Sequence, residues 1–295
     1  MLQRGNPIMT IDTTRRTNPM PDLIYEKHEA EHYATFTMNR PDRLNALGRE
    51  LSILQQEALD DFAEDPKMWV AILTGTGRAF SAGADLKEMA RRNKDTAEIE
   101  ERYGRGEIDA GQRKEALKAW SRPMGPGLFS QCPKPIIAAI NGLAYGGGME
   151  RSMDCDIRIA STEATFGLPE VKRGILAGYG IQHFARVSSF GDAIYFVLTG
   201  EAMSAEEALR IGFVREVVEP DRLMPRAIEI AKAISANAPL AVQASKKVMH
   251  HWRRFAMEES QKFTDSIYAG IRASEDAKEG PRAFAEKRPA QWKAR

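Results

Sequence analysis

The chain has 295 residues, 43% of them hydrophobic and 28% charged, enough for one large domain or a domain with a C-terminal extension. Its 42 basic and 41 acidic residues leave a formal charge of +1, which excludes a global field that would gather nucleic acid or anionic membrane. Cys132 and Cys155 are too few for a disulfide framework or a zinc cage, and they point to a reducing compartment.

In chain order, residues 1–21 carry Arg4, Arg15, Arg16 and three prolines with Asp12 as the one acid, and read as a disordered tail; an organelle transit peptide is the sharper alternative. No later segment has the uninterrupted apolar length of a membrane span, and the N-terminus lacks a secretory apolar core, so a cytoplasmic protein is expected. Tyr25 and the alternating run Tyr33 to Met38 predict two strands around a turn at His28 to Glu31. Asn45 to Phe62 places Leu51, Leu54, Ala58 and Phe62 at helical spacing, and Trp69 to Leu73 reads as a buried strand ending at Gly75 and Gly77. Lys87 to Arg122 is dense in charge and predicts a solvated helical insertion, with a mobile cover over a site as its functional reading. Ile136 to Ile140 and Ile157 to Ala160 predict buried strands on either side of a glycine run. Beyond Ser204, which forms a capping-box pattern with Glu207, the chain reads as helical, with Pro239 at a helix start and Gly270 and Gly280 as breaks. The fold class is α/β: a tail over 1–21, a core over 22–203 and a helical region over 204–295.

The glycine run is Ala144-Tyr145-Gly146-Gly147-Gly148-Met149-Glu150. Backbone N–H groups approach a ligand closely where Cβ atoms are absent, and a turn that opens a helix adds the helix's unpaired donors and positive dipole end. No Lys-Ser or Lys-Thr follows, so the P-loop pattern fails, and the third glycine of a dinucleotide fingerprint would fall on Arg151. A packing turn and an oxyanion site remain open. Ala79 to Leu86 is a second junction of small residues between a predicted strand and helix, and Glu170 follows a proline-fixed bend at Leu168-Pro169.

Together these stretches resemble the crotonase superfamily, and within it the enoyl-CoA hydratases, from about residue 22 to the C-terminus. The resemblance rests on Asn39-Arg40-Pro41 through Leu44-Asn45-Ala46-Leu47, Ser81 to Leu86, Asn141-Gly142 with Gly146-Gly147-Gly148, Cys155 to Ala160, Phe166 to Glu170, and Glu286-Lys287-Arg288-Pro289. It implies a spiral of strand-strand-helix turns, although the sequence itself shows no repeat, and C-terminal helices that assemble homotrimers, often paired as hexamers. It also implies an oxyanion hole from the amides of Ala84 and Gly147, holding the thioester oxygen of an acyl-CoA as it gains enolate charge. Glu150 and Glu170 match the catalytic acids, Glu150 deprotonating the attacking water and Glu170 supplying the α-proton. Coenzyme A is implied as part of the substrate, with no permanently bound cofactor and no metal. Arg43, Leu44, Ala82, Asp85 and Leu86 would border it, and Tyr268, Phe284 and Lys287 would close the site from a C-terminal segment.

Three departures from the family bear on this. Arg151 follows Glu150 where apolar residues are usual, and Asp154 lies at i+4 from Glu150, so Asp154 and Arg151 either tune Glu150 in opposite directions or pair with each other. The turn from Gly174 to Gln182 lacks the usual Pro-Gly and is one residue shorter, and the charged insertion is long. The five histidines, His28, His32, His183, His250 and His251, sit in no nucleophile or metal motif and are expected at the surface. Competing expectations are another crotonase reaction on a functionalised acyl-CoA, or a non-catalytic acyl-CoA-binding or RNA-binding relative.

Overall fold

The computed structural model describes residues 21–118, 120, 127–254, 269–270 and 272–291. The N-terminal tail, the end of the charged insertion and Tyr268 therefore lie outside the described residues, apart from Pro21 and Trp120.

The predicted hairpin forms from β1 (Leu23–His28) and β2 (Tyr33–Met38), paired antiparallel with Tyr25 opposite Phe36. β3 (Val70–Gly75), β5 (Ile136–Ile140) and β7 (Ile157–Ser161) then add in parallel, and β10 (Glu216–Val218) completes a six-stranded sheet in the order β1-β2-β3-β5-β7-β10. The region after Ser204, expected to be helical, thus also supplies the sheet's last strand. A second sheet runs β4 (Ala79–Ser81), β6 (Leu143–Tyr145), β8 (Thr165–Gly167) and β9 (Ala202–Ser204). Each of β3, β5 and β7 passes directly into its partner in the small sheet and then into a helix or helical turn. The strand-strand-helix spiral therefore exists in the backbone, although no sequence repeat announces it.

The inner strands are continuously apolar because both faces of the large sheet are covered. Val70, Ile72, Ile137, Ala139 and Ile159 pack against Leu223, Ala227 and Ala231 of α9 (Leu223–Ser235). The alternate residues Ala71, Leu73, Ile136, Ala138 and Ile140 enter a larger core with Phe36, Leu51, Phe62, Phe80 and Phe166. Helix α1 (Arg49–Glu64) buries Leu51, Leu54, Ala58 and Phe62 as the spacing predicted, but it starts four residues later than Asn45. Leu44 and Asn45 have φ of 50° and 53°, outside helical backbone, and the Asn45 amide instead donates to the carbonyls of Thr76 and Ala79 at 3.0 and 2.7 Å.

The charged insertion folds as α2 (Leu86–Gly104) and α3 (Ala110–Lys118), neither of which buries a residue fully. Short helices follow in order: α4 (Leu128–Gln131), α5 (Gly147–Asp154), α6 (Gly180–Val187), α7 (Phe190–Thr199) and α8 (Ala205–Arg210). α8 opens with the Ser204–Glu207 capping box that the sequence predicted. α10 (Pro239–Arg254) starts at its proline, and α11 (Glu275–Ala285) contains Gly280 inside it rather than a break. His250 is not a surface histidine: its Nε2 lies 2.7 Å from Asp156, which also accepts from Lys246 Nζ at 2.7 Å and so fastens α10 to the core.

Candidate active site

The three consecutive glycines answer three separate demands. Gly146 has φ 52° and ψ −125°, a conformation that favours glycine, and a Cβ on it would also sit 3.0 Å from Glu170 Oε1. A Cβ on Gly148 would lie 2.0 Å from the Ser81 carbonyl oxygen, so α5 presses directly on the end of β4. Gly147 has room by comparison: its Cβ would meet Leu47 Cδ1 at 3.3 Å and the Ala84 nitrogen at 3.6 Å. The amides of Ala84 and Gly147 are therefore neighbours across a narrow gap.

Ala84 is fixed by a one-residue parallel bridge to Leu47. Leu47 N donates to Gly83 O at 2.7 Å and Asp85 N donates to Leu47 O at 3.2 Å, which leaves the Ala84 N–H outside the ladder. Gly147 opens α5, where the first N–H groups have no intrahelical acceptor. Among the described residues neither amide has a hydrogen-bond acceptor.

Glu150 projects from the first turn of α5. Its Oε1 accepts from the backbone N–H of Tyr179 at 3.1 Å and of Gly180 at 2.7 Å, at the start of α6, an arrangement complementary to negative charge. Glu170 stands on the 3-10 turn Pro169–Arg173 in the opposite environment. Its Oε2 is buried with no partner among the described residues, and burial, reinforced by the charge of Glu150, pushes its pKa up to about 7. One acid is thus set to hold a proton near neutrality while the other receives two N–H donors.

Arg151 feels the charges of both Asp154 and Glu150, but Asp154 and Arg151 each make their direct contacts elsewhere. Asp154 is buried and turned to α4, accepting from Phe129 N at 2.9 Å, Ser130 N at 3.1 Å and the Tyr179 hydroxyl at 3.0 Å. The Arg151 guanidinium lies over the Phe129 ring at 5.0 Å, and its buried Nε has no hydrogen-bond partner among the described residues. Burial holds its pKa below the usual arginine value. His183, expected at the surface, is buried with its ring 3.4 Å from that of Tyr179. Tyr179 and Gly180 were not singled out in the sequence; the one signal there was the shortened turn that contains them.

Arg43, Leu44, Ala82 and Asp85 come together beside Ala84, and Leu86 opens α2 next to them. Ala82 N donates to Leu44 O at 2.9 Å, and Asp85 caps α2 through Glu88 N at 3.3 Å. Burial pushes the Asp85 carboxyl up, but that cap and the ion pairs to Arg40 at 3.0 Å and Arg43 at 3.3 Å outweigh it, so its pKa lies below the usual carboxylate value. Arg43 remains largely exposed, with 62% of its side chain open to solvent, whereas Arg40 is enclosed. Phe284 lies elsewhere, with its ring 4.7 Å from the Arg173 guanidinium at the end of the Glu170 turn. Lys287 follows α11 in left-handed backbone, and among the described residues no hydrogen bond or ion pair ties Phe284 or Lys287 to the Arg43 group. No described helix is long and apolar enough to cross a membrane.

A family profile described as enoyl-CoA hydratase/isomerase matches residues 29–295. Mevalonyl-coenzyme A hydratase of Aspergillus fumigatus is 40% identical over 265 residues, covering 89% of this chain and 92% of that protein. Short-chain-enoyl-CoA hydratase of Clostridium acetobutylicum is 39% identical over 258 residues, covering 86% of this chain and 92% of its own. Among solved structures, carnitinyl-CoA hydratase from Mycobacterium avium superposes with a TM-score of 0.77 at 38% identity, over 94% of this chain and all of that one. With these likenesses spanning nearly its whole length, the chain belongs to the enoyl-CoA hydratase/isomerase family and has the crotonase fold.

Proposed function

We propose that this protein is an enoyl-CoA hydratase that adds water reversibly to a 2-enoyl-CoA thioester. The observation that carries this reading is the opposed setting of Glu150 and Glu170 beside two unused amides. Hydration requires a base for the incoming water and an acid for the α-carbon. Glu150, facing two N–H donors, is suited to accept the proton of water attacking Cβ. Glu170, with its pKa near 7, is suited to hand one to Cα. The amides of Ala84 and Gly147 receive the thioester oxygen as enolate charge develops, where loss of one such donor costs about 3 kcal/mol of transition-state stabilisation. In the reverse direction the same groups dehydrate a 3-hydroxyacyl thioester.

Coenzyme A enters in this reading as the substrate's carrier and not as a resident cofactor. Exposed Arg43 serves as a counterion for its phosphates, and Leu44, Ala82, Asp85 and Leu86 border it. The names of the relatives, mevalonyl-CoA and carnitinyl-CoA hydratases among them, favour a functionalised acyl group as a second substrate reading. A cytoplasmic homotrimer, or hexamer of paired trimers, completes the proposal, supported by Leu240, Val248 and Met249 standing exposed on α10. Loss of enoyl absorbance from crotonyl-CoA, and from thioesters bearing hydroxyl or charged acyl groups, tests the reading. Glu150→Gln and Glu170→Gln should each lower kcat by about 100-fold or more. Activity that survives both substitutions would remove the acid-base assignment, and sedimentation velocity decides the assembly.

A further inference from the structure

We propose that Tyr179 is a positioning residue for Glu150, held in place by the bond from its hydroxyl to Asp154. Helix α5 carries both carboxylates, one turn apart, and Tyr179 spans them: its backbone N–H donates to Glu150 Oε1 at 3.1 Å and its hydroxyl donates to Asp154 Oδ1 at 3.0 Å. The adjacent N–H of Gly180 completes the clamp on Glu150 at 2.7 Å. Asp154 is a firm anchor because the amides of Phe129 and Ser130 fix its two oxygens from α4. The Tyr179 ring stacks on His183, whose Nδ1 lies 2.9 Å from the Tyr179 carbonyl oxygen.

A tether matters because the segment leading to these amides has no regular structure. It runs through Gly174 and Gly178, and a Cβ on Gly178 would meet nothing within 4 Å. Without the hydroxyl bond, the two N–H groups that aim Glu150 would depend on that turn and on the first bonds of α6 alone. This assigns Asp154, which the spacing cast as a charge neighbour of Glu150, to anchoring instead. Glu150 also feels the charge of Glu170 on the facing 3-10 turn and of Arg151 on its own helix.

The inference rests on the hydratase reading for its kinetic test alone. Tyr179→Phe keeps the ring, the stack, the backbone and every formal charge, so any change in Glu150 behaviour comes through geometry. With crotonyl-CoA we expect kcat to fall about 10-fold while KM stays within about twofold. The acidic limb of the kcat profile should move to higher pH, since a carboxylate with poorer donors is easier to protonate. Asp154→Asn combined with Tyr179→Phe should lose little more than Asp154→Asn alone, because both cut one tether. Infrared difference spectra of protein with 13C-labelled glutamate carboxylates read the same titration in the free protein. If the native protein hydrates no thioester, the hydratase reading fails and the infrared titration still decides the role of Tyr179. An unmoved acidic limb and infrared titration, with kcat within twofold, would overturn the inference, as would a fall in thermal stability alone. Should Asp154→Asn fail to fold, Tyr179→Phe by itself decides whether the hydroxyl positions Glu150.

Discussion

Gly280 of α11 lies hard against Arg173: a Cβ on the glycine would sit 1.9 Å from the arginine's carbonyl oxygen and 2.3 Å from its carbonyl carbon. Arg173 ends the turn that carries Glu170, so the C-terminal helix buttresses that carboxylate from behind. Glu279 strengthens the seat by binding Arg288 at 2.6 Å and the Gln291 amide at 3.0 Å, which gives the Glu-Lys-Arg-Pro ending a structural reason. Gly280→Ala cannot be absorbed by a rotamer change, because the colliding atom is backbone. It should destabilise the protein by about 1–3 kcal/mol in urea titration and lower kcat with crotonyl-CoA several-fold by displacing Glu170. A variant with unchanged urea midpoint and rate would mean that α11 does not bear on this turn in solution.

Adjacent glycines of the turn Gly146 to Gly148 should separate stability from catalysis. Gly148→Ala puts a carbon 2.0 Å from Ser81 O, and it should unfold at markedly lower temperature. The tightest contact of Gly147→Ala is the flexible end of Leu47 at 3.3 Å, and its new methyl enters the gap toward the Ala84 amide, 3.6 Å away. Its melting temperature should stay close to native while kcat falls about 100-fold, a loss typical of one missing oxyanion contact. Differential scanning calorimetry beside steady-state kinetics on both variants checks this. Equal damage to both quantities in both variants would contradict it.

Much of this was readable from local chemistry. The apolar runs at Val70–Gly75 and Ile136–Ile140 become strands buried on both faces, and Leu51, Leu54, Ala58 and Phe62 line one side of a helix. The start of that helix was not readable, because Asn45 takes a left-handed conformation to reach carbonyls more than 30 residues away. Likewise, i+4 spacing put Asp154 on the face of Glu150, but the amides of α4 and the Tyr179 hydroxyl turn it elsewhere. Long-range donors decide such side chains, and periodicity carries no record of them. His250 escaped for the same reason: its partner, Asp156, arrives from another element.

Arg43 offers a test of the nucleotide end of the substrate. Its guanidinium is mostly solvated and its hold on Asp85 is long, at 3.3 Å, while Arg40 keeps the same carboxylate at 3.0 Å. Removing Arg43 therefore leaves Asp85 paired and the Ala84 loop in place. Arg43→Ala should raise KM for crotonyl-CoA about 3- to 10-fold with kcat nearly unchanged, and the difference from native should shrink as salt is added. The KM for crotonyl-pantetheine, which lacks the nucleotide, should not respond. An equal KM change with both thioesters would place the arginine's effect on the loop and not on phosphate.

Glu170 should make the protein less stable as the solution becomes more alkaline. Its carboxyl is raised from 4.5 to about 7 in the folded protein, by burial first and then by Glu150, so the native state keeps a proton that the unfolded chain releases. Stability is therefore full below about pH 4.5 with respect to this group, declines as pH rises toward 7, and is flat above. The total, on the order of 3 kcal/mol, is the cost of ionising this carboxyl while it is buried beside Glu150. Glu170→Gln removes that titration while keeping size and shape. Urea unfolding at pH 5 and pH 8 should show the variant close to native at the lower pH and more stable than native at the higher, although it is the less active protein at both. If the native-minus-variant difference were the same at pH 5 and pH 8, Glu170 would have an ordinary pKa, and its part as the acid that protonates Cα near neutrality would lose its physical basis.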